Sequence, residues 1–69
     1  MTDTARLKEL IRESGYKLGF IAGKLDLSVY GFARKRDNIS EFTQSEITAL
    51  CELLHIDSPD DLCAIFFAK

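Results

Sequence analysis

The apolar residues of this chain recur at helical spacing almost throughout, and helix-stopping signals cut that recurrence into short pieces. Leu7, Leu10 and Ile11 follow the i, i+3, i+4 rule of a helix that buries one face. Thr2 or Asp3 caps its start and Gly15 ends it, so it spans about residues 3–14. Ile21, Ala22 and Leu25 mark a second helix over about 18–25. Its glycines, Gly19 and Gly23, each cost up to about 1 kcal/mol relative to alanine, which suggests close approach of another backbone. Asp26 and Leu27 make a tight turn. Ser28 then caps a third helix, running to about Arg36 with Phe32 as its core anchor. Thr43 and Glu46 form a T-x-x-E capping box, and Phe42 is placed to staple against Ile47. The fourth helix therefore occupies about 44–54, burying Ile47, Leu50, Cys51 and Leu54, and His55 ends it. Ser58, Pro59, Asp60 and Asp61 open a fifth helix that carries Leu62, Ile65 and Phe66. Only Ala64 to Ala68, AIFFA, would suit a strand as well as a helix end. The pattern predicts an all-α fold of five short helices in a single domain over residues 1–69.

A domain of 69 residues buries only about 60% of its unfolded surface, so its stability is marginal and a second copy would add to it. No apolar run is long enough to span a membrane, and MTDTARLKEL has no apolar core of a secretory signal. Cys51 and Cys63 each sit among leucines and isoleucines and read as two small buried hydrophobes. With no CxxC and a single histidine, no disulfide, metal site or cofactor is expected, and the compartment points to a reducing cytoplasm. No nucleophile–base pair or glycine-rich phosphate loop is present, so no enzyme is expected.

The net charge is −2, but it is not evenly spread. Residues 1–36 carry eight Lys/Arg against four Asp/Glu, a net +4; residues 37–69 carry one Lys against seven Asp/Glu, a net −6. A molecule polarised this way offers a basic half to an anion. FARKRDN, Phe32 to Asn38, concentrates the basic half into Arg34, Lys35 and Arg36. Three adjacent cations repel one another unless something neutralises them. A phosphate backbone is one candidate, and a solvated helix C-terminus is another.

The stretch LGFIAGKLDLSVYGFARKR pairs two short helices across a turn of about three residues, with a small residue, Ala22, at their crossing and a polar cap, Ser28, on the second. Here the sequence resembles the lambda-repressor-like, Cro-type helix-turn-helix family, and more narrowly the small Cro-like regulators of phages from Gram-positive hosts. The resemblance covers nearly the whole chain: GYKLGFIAGKLDLSVYGFARKRDN, then SEFTQSEITALCELLHI, then a tail containing FF. The chain departs from the pattern at Asp26, where the turn usually has glycine, and at Leu18, often glutamine. Arg36 likewise stands where an apolar residue is common.

What the resemblance implies is a transcriptional regulator of phage or prophage origin that binds double-stranded DNA as a homodimer. The segment of about 18–36 would be the helix-turn-helix, with 28–36 as the recognition helix in the major groove. Matching positions would put Ser28, Val29, Tyr30, Ala33 and Arg34 at base edges, with Arg34 able to bond guanine in bidentate fashion. Lys17, Lys35, Arg36 and Asn38 would suit phosphates. Ile65, Phe66 and Phe67 are candidates for the dimer interface, although Phe66 and Phe67 read equally well as core. The rival reading is a protein-binding adaptor or antirepressor on the same fold. The net acidity and the FF tail favour that rival.

Overall fold

The computed structural model describes residues 1–69, and all of its regular structure is helical. Its five helices are α1 (Thr4–Ser14), α2 (Leu18–Lys24), α3 (Val29–Arg36), α4 (Gln44–Leu54) and α5 (Pro59–Phe66). None is long and apolar enough to cross a membrane.

Each boundary has a local cause. Asp3, not Thr2, caps α1: its carboxylate accepts from the Arg6 N–H at 3.1 Å. Gly15 ends α1 at φ 76, a left-handed conformation that glycine adopts without steric cost. The Thr43–Glu46 capping box is present in full, each side chain bonding the other's backbone N–H. His55 ends α4 at φ 58. The Ser58 hydroxyl accepts from the N–H groups of Asp60 and Asp61, and Pro59 occupies the first turn of α5. AIFFA is therefore helical as far as Phe66.

α1 packs on α3, α4 and α5, while α2 packs on α3 and α4. Leu7, Ile21, Phe32 and Leu50 are sealed from solvent where these helices meet. Three rings extend the core: Phe42 stands edge-on to Phe32 and to Phe66, with centroids 5.8 Å apart in both pairs. Edge-to-face rings at this spacing add about 0.5–1.5 kcal/mol per pair beyond area burial. They bind α3, the α3–α4 connection and α5 into one unit.

The two chain ends meet beside this cluster. The Ala68 N–H donates to the Met1 carbonyl at 2.8 Å, and the Asp3 N–H to the Ile65 carbonyl. Thr2, between them, is 8% exposed.

Three expectations need correction. Ile65 and Phe66 are 3% and 4% exposed, so both are core and cannot meet a partner; only Phe67, at 58%, faces outward. Phe66 is the last residue of α5, whereas Phe67 is its C-cap at φ −124, off the helix. Cys63 is exposed, unlike Cys51, whose thiol burial pushes up in pKa. The α2 glycines do not admit a neighbouring backbone. A Cβ on Gly19 would make ordinary contact with the Val29 side chain, and one on Gly23 would meet nothing.

Candidate nucleic-acid interface

The turn between α2 and α3 is built around the Ala22 carbonyl, which accepts from the N–H groups of both Leu25 and Leu27, at 3.0 and 2.9 Å. Asp26 bridges them at φ 57, a left-handed position that aspartate tolerates. Ala22 is 1% exposed and belongs to the core. Ser28 then caps α3 by accepting from the Gly31 N–H at 3.0 Å. Gly31 suits this cap, because a Cβ there would stand 3.1 Å from the Ser28 hydroxyl oxygen.

With Phe32 turned into the core, α3 leaves Ser28, Val29 and Tyr30 exposed, and Ala33 and Arg34 partly so. Of the five residues expected to face base edges, Val29, Tyr30, Ala33 and Arg34 lie along α3 and Ser28 at its N-cap, and all five are at least partly accessible. Lys17, at the N-cap of α2, is also exposed and makes no side-chain capping bond.

The cation cluster divides. Lys35 Nζ donates to Glu46 Oε1 at 2.6 Å, with the two side chains only 17% and 12% exposed. The same Oε1 accepts from the Thr43 N–H, so one carboxylate oxygen serves both the capping box and the ion pair. Burial pushes the Glu46 carboxyl up in pKa, but the bonds from Lys35 and Thr43 outweigh it, and Glu46 rests below the usual glutamate range. Arg36 lies along Asp37 with two parallel bonds of 2.9 and 3.0 Å. That pairing raises the Arg36 pKa and lowers that of Asp37. Only Arg34 has no carboxylate partner; it bonds the Tyr30 hydroxyl instead, at 3.3 Å. Repulsion among the three cations is thus relieved inside the molecule, by Glu46 and Asp37.

This alters three of the four expected phosphate contacts. Lys35 and Arg36 are held by carboxylates. Asn38, at φ 66, has its amide bound to the Thr2 backbone and, at 3.2 Å, to the Thr4 hydroxyl. Lys17 alone remains uncommitted.

One feature was missed in the sequence. Phe20 is 46% exposed; its ring lies 5.0 Å from Tyr16, and Lys24 Nζ lies 5.3 Å from its centroid. The spacing Tyr16, Phe20, Lys24, four residues apart each time, was the available signal.

No family model, curated protein or solved structure matches this chain.

Proposed function

We propose that this chain is a sequence-specific, Cro-like helix-turn-helix DNA-binding regulator of phage or prophage type. It would insert α3 into the major groove and act as a homodimer. The observation that carries the reading is the α2–α3 pair. A seven-residue helix carrying a buried alanine packs on an eight-residue one, over a short turn with a left-handed Asp26. Ser28 at the cap of the second helix and Val29, Tyr30, Ala33 and Arg34 along it are at least partly accessible, so that small, hydroxyl and guanidinium groups can meet base edges. Lys17 at the start of α2 suits an adjacent phosphate.

The test is selection of bound duplexes from a random library, followed by affinity against salt. A true binder returns one preferred sequence, with two half-sites about one helical turn apart, and loses affinity steeply as salt rises. A folded protein that enriches no sequence would end this reading.

A protein-binding adaptor or antirepressor on the same scaffold is the second reading. The neutralised Lys35 and Arg36 favour it, together with the exposed Phe67. Flat salt dependence with no enriched duplex would be its signature.

A further inference from the structure

Tyr30 and Arg34 stand one helical turn apart on the accessible side of α3 and hold each other. Arg34 Nη1 donates to the phenol oxygen at 3.3 Å, and the guanidinium carbon lies 5.6 Å from the centre of the ring. Contact with both the hydroxyl and the face of one ring restricts a long side chain before any ligand arrives. The Arg34 backbone is fixed too, since its carbonyl accepts from the N–H groups of Ile39 and Ser40. Tyr30 itself is 72% exposed, so packing in the core does not explain the ring. Lys35 and Arg36 next to the pair are taken up by Glu46 and Asp37, which leaves Arg34 as the cation of this cluster free to meet a ligand.

We propose that Tyr30 is a positioning residue that presents Arg34 as a pre-set two-pronged donor to the O6 and N7 edge of one guanine in duplex DNA. This rests on the DNA-binding reading above and reassigns Tyr30 from reading a base itself. The donor count allows it. A guanidinium has five N–H groups; the bond to Tyr30 takes one, and a bidentate guanine contact needs two. Orientation favours a base edge over a phosphate. A guanine edge offers two acceptors in one plane, so a restrained planar fork gains most there, whereas a phosphate accepts from many directions.

The experiment compares full-length wild type with Tyr30→Phe, Tyr30→Ala and Arg34→Lys. Each is first checked by circular dichroism, and the exposure of Tyr30 means its variants should fold. Sequences bound from a random duplex library give the preferred site. Affinities are then measured for that site and for all single-base changes in it. Wild type should prefer guanine at one position by about 5- to 150-fold. Arg34→Lys should still bind duplex but lose most of that preference, because an ammonium cannot present a planar fork. Tyr30→Ala should lower the preference at that position alone, by about 2- to 10-fold, with Tyr30→Phe intermediate. Two results would overturn the proposal while leaving DNA binding intact: an unchanged guanine preference in Tyr30→Ala, or an Arg34→Lys effect spread evenly over all sequences. Absence of duplex binding by folded wild type would remove the DNA reading and this proposal together.

Discussion

Asn38 and Thr2 exchange two hydrogen bonds of 2.7 Å each, from the Thr2 N–H to the Asn38 side-chain Oδ1 and from the Asn38 side-chain Nδ2 to the Thr2 backbone carbonyl. A side-chain amide thus serves the N-terminal segment as a neighbouring strand would. The pair also joins that segment to the end of α3, where the Thr4 hydroxyl donates to the Arg36 carbonyl at 2.7 Å.

Replacing Asn38 should therefore cost stability rather than phosphate contact. Asn38→Ala loses three bonds, two with Thr2 and one to Thr4, at about 0.5–1.5 kcal/mol each, and places an alanine in the left-handed region, at about 1–2 kcal/mol. Asn38→Gly removes the bonds but not the backbone fit, so it should fall between alanine and wild type. Urea unfolding measures all three. Equal midpoints for the alanine and glycine variants would mean that the backbone conformation carries no penalty.

Glu46 predicts a specific acid sensitivity. Its pKa is below the ordinary value in the folded chain, so the stabilisation it gives is complete above the ordinary glutamate range. That stabilisation fades as pH falls through the lowered, folded value. Glu46→Gln should cost about 1–3 kcal/mol at neutral pH, by leaving Lys35 without its charged partner. It should also flatten the loss of stability across that acid window. Urea titrations at a series of pH values test both, and parallel acid profiles for mutant and wild type would contradict the assignment.

Salt dependence separates the free cation from the bound ones. On the DNA-binding reading, Lys17→Ala should lower the slope of log affinity against log salt by about one unit per protomer. Lys35→Ala should leave the slope unchanged and lower the unfolding midpoint instead, because its ammonium is already held by Glu46. A reduced slope in the Lys35 variant would show that this ion pair opens on DNA.

Phe66 and Phe67 should respond oppositely to truncation. Phe66→Ala removes a core ring and should cost about 3–5 kcal/mol, enough to threaten folding of so small a domain. Phe67→Ser should leave the thermal midpoint nearly unchanged and weaken self-association in sedimentation equilibrium, if the exposed ring is the dimer contact. A Phe67→Ser dimer as tight as wild type would place the contact elsewhere.

The helix boundaries were legible because their causes are local. Asp3, Gly15, Ser28, the Thr43–Glu46 box and Ser58–Pro59 each act within about one turn of the residues they control. The core was legible in Leu7, Ile21, Phe32 and Leu50, which follow helical spacing. The fate of the cations was not. Whether Lys35 meets Glu46 depends on how α3 docks beside the start of α4, and spacing along one helix carries no information about that. The same holds for Asn38, whose partner is 36 residues away. Periodicity also gave no means of choosing between Phe66 and Phe67, because the register at the end of a short helix is set by what it packs against.

The joining of the two chain ends bears on how fast this protein folds. Helical domains usually fold quickly because most of their contacts are close in sequence. Here Met1 and Ala68 meet across 67 residues, and Thr2 and Asn38 across 36. Closing such loops is entropically expensive, so these bonds should form after the helices have docked. Changes at Asn38 should then speed unfolding and leave refolding nearly untouched, a φ-value near zero. Stopped-flow chevrons of Asn38→Ala would reveal this. A slowed refolding limb would instead make the clasp part of the nucleus, and the ends of the chain would organise the helices between them.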